Sequence, residues 1–181
     1  EQIAAGREIV DGVLSEEPSN PHGLFVRAKI EMAELDPKAA AQTLRAALDV
    51  RPDWARARFV LGSALMLIGD QNGARAELAR AVELDPGQLE SRRSLARIHA
   101  SLGEHEYAIE QGRMYLRERP NDTRTQILVA QSLVHLGKRD EAFAELERIR
   151  EEDRDADSWY AIGRLYMAQG KTEEARTALL A

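Results

Sequence analysis

Residues 55–88 read ARARFVLGSALMLIGDQNGARAELARAVELDPGQ, and residues 89–122 read LESRRSLARIHASLGEHEYAIEQGRMYLRERPND. Set one above the other, Leu61 falls on Leu95, Gly62 on Ala96, Gly69 on Gly103, Ala74 on Ala108 and Pro86 on Pro120. A period of 34 residues marks a solenoid in which one helix pair is repeated. A stacked helix array is a surface for holding something and seldom a device for making or breaking bonds.

Working outward, the same pattern extends in both directions. Residues 21–54 place Leu24, Ala28, Ala40, Leu44, Ala47 and Pro52 at equivalent points. Residues 123–155 supply Val129, Ala130, Leu133, Gly137, Ala142, Leu146 and Ile149, and residues 156–181 supply Trp159, Ile162, Gly163, Tyr166, Gly170, Ala175 and Leu179. Residues 1–20 fit only the second half of a unit. The expected organisation is a single array over 1–181: an unpaired helix, four full helix pairs (21–54, 55–88, 89–122, 123–155) and a shortened last pair at 156–181. The unpaired start and the shortened end predict a fragment of a longer array whose ends are open to self-association.

Each unit reads as two amphipathic helices. Leu61, Leu65 and Ile68 recur at three- and four-residue spacing, the period of a helix. Gly69-Asp70 stops the first helix, and Asp85-Pro86 stops the second. No alternating β-branched run is present, so the fold class is all-α. Small residues 12 apart mark the helix crossings: Ala28/Ala40, Gly62/Ala74, Ala96/Ala108, Ala130/Ala142 and Gly163/Ala175. Two helices approach closely only where the crossing point carries almost no side chain.

Composition agrees. The chain has 181 residues, 44% of them hydrophobic but only 5% aromatic, so the core must be built from Ala, Leu, Ile and Val. Lys+Arg 25 against Asp+Glu 31 leaves a net charge of −6, which argues against a module dominated by phosphate contacts and against nucleic acid as a partner. With no cysteine, disulfides, thiolate chemistry and Cys-based zinc sites are excluded. The most apolar stretch, Phe59 to Ile68, is about half the length needed to cross a bilayer, so direct membrane insertion is not expected. The chain is expected to be soluble, and the lack of cysteine does not decide between bacterial cytoplasm and periplasm.

The unit resembles the tetratricopeptide repeat: small at unit position 8, small at 20, large apolar at 24, Ala at 27 and Pro at 32. In the clearest copy these are Gly62, Ala74, Leu78, Ala81 and Pro86. The resemblance covers essentially the whole chain. It implies a right-handed superhelical solenoid of antiparallel helix pairs whose first helices line a concave groove, and a role in binding partners, often extended peptides.

Three departures from the pattern stand out. Counting residues 1–20 as the first unit, the fourth unit has Gly112 where a large residue is usual and Tyr115 where Ala is usual. This predicts a size exchange, the Tyr ring filling what Gly vacates. Arg27 and Glu31, one turn apart at apolar positions of the second unit, are expected to form a solvated pair. Between the last two units the spacing falls to 33, the Pro is missing, and the linker at 150–155 is charged throughout. A local change in twist is expected there.

Catalytic chemistry has little support. The four histidines, His22, His99, His105 and His135, form no metal-ligand or triad spacing. No HExxH, Gly-rich phosphate loop or Gly-x-Ser-x-Gly is present. No enzyme activity, cofactor or metal is expected. The groove is more informative. Unit positions 2, 5, 6, 9, 12 and 13, which face inward in the family, carry Phe25, Lys29, Arg56, Phe59, Met66, Arg93, Arg97, Arg124, Ile127, Tyr160 and Arg164. Glu90 and Asp157 are the acidic residues there. An acidic chain thus places a basic, partly apolar lining on one face, the composition enriched where proteins bind proteins. A carboxylate-clamp groove is not supported, because its Lys and Asn would fall on Phe59, Ser63 and Ser94.

These features lead to the expectation of a non-catalytic interaction module or scaffold that holds an extended protein or peptide partner of acidic and apolar character in its groove. The competing expectation is a structural segment of a bacterial cell-envelope or polysaccharide-export assembly, built by stacking of repeats and with an anionic polymer as ligand.

Overall fold

A computed structural model describes residues 2–180. Eleven α-helices and one 3-10 turn make up its regular structure, with no strand among the described residues. They are α1 (Gln2–Glu16), α2 (Pro21–Ala33), α3 (Pro37–Val50), α4 (Ala55–Leu67), α5 (Gln71–Leu84), α6 (Leu89–Ser101), α7 (His105–Glu118), α8 (Thr123–His135), α9 (Arg139–Glu147), α10 (Ala156–Ala168) and α11 (Thr172–Leu180). The residues divide into two compact units, one up to Ser94 and one from Leu95 on.

In the first unit α2 packs on α3 and α4 on α5, with α1 against α2 and α3 against α4. Polar side chains start the helices. Asn20, Asp36 and Asp70 each accept a hydrogen bond from the backbone amide three residues on, at 2.9, 3.0 and 2.9 Å, satisfying one of the free donors of a first turn. Ala28 and Ala40 are buried, as are Gly62 and Ala74. A Cβ built on Gly62 would come 2.7 Å from Leu78 Cγ and 3.3 Å from the Ala74 carbonyl oxygen. The α4–α5 crossing is therefore closed by backbone and Leu78 together. Arg27 pairs with Glu31 at 3.6 Å and with Asp11 at 3.8 Å; the arginine is half exposed, but Glu31 is largely covered, so the pair is solvated from one side only.

The turn inside each pair has one form. The second residue after the helix adopts positive φ, and the next amide reaches back five residues, as Asp70 does to the Leu65 carbonyl at 3.0 Å. Gly69, Gly103, Gly137 and Gly170 fill the position with φ between 74° and 83°. In the first pair it is Leu35, at φ 62° and 88% exposed. A side chain in the left-handed region costs about 1–2 kcal/mol, and this one has almost no packing to offset that. Leu35→Gly is expected to raise stability by about 1 kcal/mol, read as an upward shift in the urea midpoint with unchanged slope.

Between pairs, a device absent from the apolar pattern ties each second helix to the next first helix. Arg58 donates from Nε and Nη2 to the Pro52 carbonyl at 2.9 and 2.6 Å and pairs with Glu77 at 2.7 Å. Arg92 donates to the Pro86 carbonyl at 3.2 Å. Gln126, in the second unit, does the same to Pro120 at 3.0 Å. The three donors stand 34 residues apart. Arg58 and Glu77 are only 19% and 25% exposed, so Arg58→Ala should cost about 2 kcal/mol in chemical denaturation.

The second unit has its core in Ile127, Val129, Ala130, Leu133, Leu146, Ile149, Ile162 and Leu165, drawn from α8, the end of α9, the linker just after it, and α10. Gly112 departs from expectation: Val129 Cγ2 occupies the space, 2.6 Å from where a Cβ would stand. Tyr115 is buried, and its hydroxyl donates to Asp122 at 3.2 Å. The compensation for Gly112 thus comes from α8 and not from the Tyr115 ring. At the charged linker, Arg150 bonds Asp153 at 2.7 Å around the turn Glu151–Asp153. Arg154 takes over the role of the missing proline contact, donating to the Ile149 carbonyl at 3.1 Å and lying 4.8 Å from the Trp159 ring. Asp155 caps α10: hydrogen bonds from the Ser158 hydroxyl and amide hold its carboxylate below the ordinary value of 3.8. That contribution is present above the ordinary value and lost as pH falls through the lowered one.

Candidate functional site

The second unit contains a half-open pocket of about 320 Å³ between α8, α9 and α10. One face of α8 supplies Ala130, Gln131, Val134 and His135, at the i, i+1, i+4, i+5 spacing of a helical stripe. Tyr160, Ala161, Arg164, Leu165 and Ala168 of α10 form the opposite wall, and Leu146 of α9 the floor. Small residues make the space: Ala130 and Ala161 stand where larger side chains would fill it. The volume is about twice the ~150 Å³ apolar cavity that accepts benzene. It has room for one large apolar side chain with part of its backbone.

The rim is polar and biased in charge. Arg164 is exposed and its guanidinium lies 5.8 Å from the Tyr160 ring, itself 57% exposed. Among the described residues no carboxylate lines the pocket. His135 stacks flat on His105, with ring centroids 4.3 Å apart and planes 3° from parallel. The second ring fixes the first from behind. Arg on an aromatic face keeps its in-plane N–H donors for a ligand, while the ring contact limits the entropy lost when they are used.

Of the residues expected to line the groove, Tyr160 and Arg164 meet at this pocket. Ile127 does not line it and is buried in the core at 8% exposure. Arg124, exposed at the start of α8, acts on the Asp155 carboxylate, and Arg97 is exposed on α6. In the first unit Phe25 is likewise buried, at 7%, with the Arg56 guanidinium 5.8 Å from its ring. Lys29 is exposed, Phe59 and Met66 are half-buried, and Arg93 pairs with Glu90 on its own helix at 3.1 Å. Gln131 and His135 were missed, although they hold unit positions 9 and 13 and were open to the mapping that found Arg164.

The chain matches the tetratricopeptide repeat family over residues 25–88, 69–123 and 129–181. No curated protein sequence matches it. Among solved structures, MamA is similar at 24% identity and a TM-score of 0.74, over 90% of this chain and 87% of that one. YrrB, a TPR protein with an unusual peptide-binding site, has 18% identity and a TM-score of 0.82 over 93% and 88%. PilF of Pseudomonas aeruginosa has 19% identity and a TM-score of 0.80 over 98% and 81%. At such identities the likeness is one of fold. Among the described residues no helix is long and apolar enough to cross a membrane.

Proposed function

The chain belongs to the tetratricopeptide repeat family, and on that premise we propose that it is a non-catalytic interaction module that holds an extended protein segment of acidic and apolar character. The observation that carries this is the pocket between α8 and α10, apolar inside and rimmed by Arg164 and Tyr160, with no carboxylate among the described residues that line it. A large apolar side chain of the partner enters against Ala130, Val134, Leu146 and Leu165, and a neighbouring carboxylate meets Arg164. Gln131 offers both a donor and an acceptor to the partner's backbone. Burying the side chain supplies affinity at about 25 cal/mol per Å² of apolar surface, while the charged rim sets orientation and rate of encounter.

An array of extended peptides, each carrying Leu, Phe or Trp beside Asp or Glu, tests this. Binding to a subset of apolar-acidic peptides is expected. Arg164→Glu should weaken it at least tenfold, or about 1.4 kcal/mol, and Ala168→Trp should weaken it similarly by filling the pocket. Peptides that bind both variants as tightly as the parent would place the docking surface elsewhere.

A further inference from the structure

The first unit carries a different arrangement around the start of α4. Trp54 immediately precedes that helix and touches two rings of α2, His22 at 4.9 Å and Phe25 at 4.7 Å between centroids. Two guanidinium groups lie on these adjoining rings: Arg51 is 5.1 Å from Trp54, and Arg56 is 5.8 Å from Phe25. Phe25 is buried and Trp54 half-buried, whereas His22, Arg51 and Arg56 are exposed. The cluster is therefore anchored in the core and open at its outer edge.

The two arginines differ from their neighbour Arg58, whose guanidinium is spent on the Pro52 carbonyl and on Glu77. Among the described residues neither Arg51 nor Arg56 forms an ion pair, and Asp53, exposed in the same turn, pairs with neither. Their positions come from ring faces, which leaves the in-plane donors of each guanidinium unspent. Side chains held in this way lose less freedom on binding than free arginines do. In a chain of net charge −6, such a patch selects among anions. A densely charged polymer meets the repulsion of the whole protein, while a short segment with a few carboxylates responds mainly to charges within a Debye length, about 10 Å at 0.1 M salt.

We propose that Trp54, His22, Arg51 and Arg56 form a docking surface for a carboxylate-rich protein segment. Arg51 and Arg56 each take a carboxylate, and the exposed parts of the Trp54 and His22 rings cover the apolar stem of the same segment. This surface is independent of the pocket in the second unit.

Trp54 reports on it directly. The chain has two tryptophans, so Trp159→Phe leaves Trp54 as the sole emitter. Titration at about 0.1 M salt with a capped octapeptide carrying three Glu among Ala and Leu residues should give a saturable change in Trp54 emission. That change should require at least tenfold more peptide in the Arg51→Gln/Arg56→Gln variant and persist in Arg164→Glu. The indole N–H signal of Trp54 in the otherwise unaltered chain gives the same readout by NMR, without the Trp159 substitution. No saturable change, or one equally strong in the Gln double variant, would overturn the proposal. Inorganic tripolyphosphate binding through the same arginines as tightly as the peptide would overturn the choice of carboxylates.

Discussion

Leu78→Ala is expected to lower stability by about 4 kcal/mol, the upper part of the range for a fully buried leucine. Leu78 is 0% exposed and sits directly over Gly62, with its Cγ 2.7 Å from where a glycine Cβ would project. Truncation removes the transfer free energy of the isobutyl group. It also leaves a void at a crossing whose facing residue has no side chain with which to collapse. The neighbouring Ala74, Ala81 and Leu61 are themselves buried and fixed. Urea denaturation of the single variant, and of Leu78→Ala combined with Gly62→Ala, reads the effect. The added methyl group should recover part of the loss, because it enters space that Leu78 has left. The same Gly62→Ala change alone should destabilise, so the two substitutions couple with opposite signs.

Ala74→Leu is expected to cost up to about 3 kcal/mol from the opposite cause, overpacking. Ala74 is fully buried, and its carbonyl oxygen lies 3.3 Å from the Cβ position of Gly62, so α4 and α5 are in backbone contact at that point. A leucine there must push the helices apart or leave its rotamer. Ala108, also fully buried, holds the corresponding place in α7, and Ala108→Leu should behave alike. Unchanged denaturation midpoints for both variants would mean that the 12-residue spacing does not mark the crossings.

Those crossings were legible in the sequence because they depend on residues close in the chain and on size alone. Helix ends were legible for the same reason: Gly69, Gly103, Gly137 and Gly170 mark turns that only a residue tolerant of positive φ enters without strain. Leu35 was not, since it adopts the glycine conformation without the glycine. The compensation at Gly112 was misplaced for a related reason. Tyr115 is its helical neighbour, but Val129, 17 positions along the chain, fills the space.

The site was legible in part. Tyr160 and Arg164 follow from the face that the repeat turns inward, and both line the pocket. Phe25 and Ile127 hold the same unit position as Tyr160, yet they are buried while Tyr160 is exposed. A position in the repeat specifies a direction; neighbours decide coverage. Trp54 and Arg56, which lie against Phe25, come from the following loop and helix. The stacked pair His105 and His135 was invisible for the same reason, its partners standing 30 residues apart on α7 and α8.

The most direct test of the account is an NMR titration of isotope-labelled protein with the tightest apolar-acidic peptide from the array. Saturable shift changes are predicted to cluster at Gln131, His135, Tyr160, Arg164 and Ala168, and to vanish in Arg164→Glu at the same peptide concentration. Shift changes that saturate elsewhere while these five residues stay unmoved would contradict the assignment of the α8–α10 pocket as the docking site.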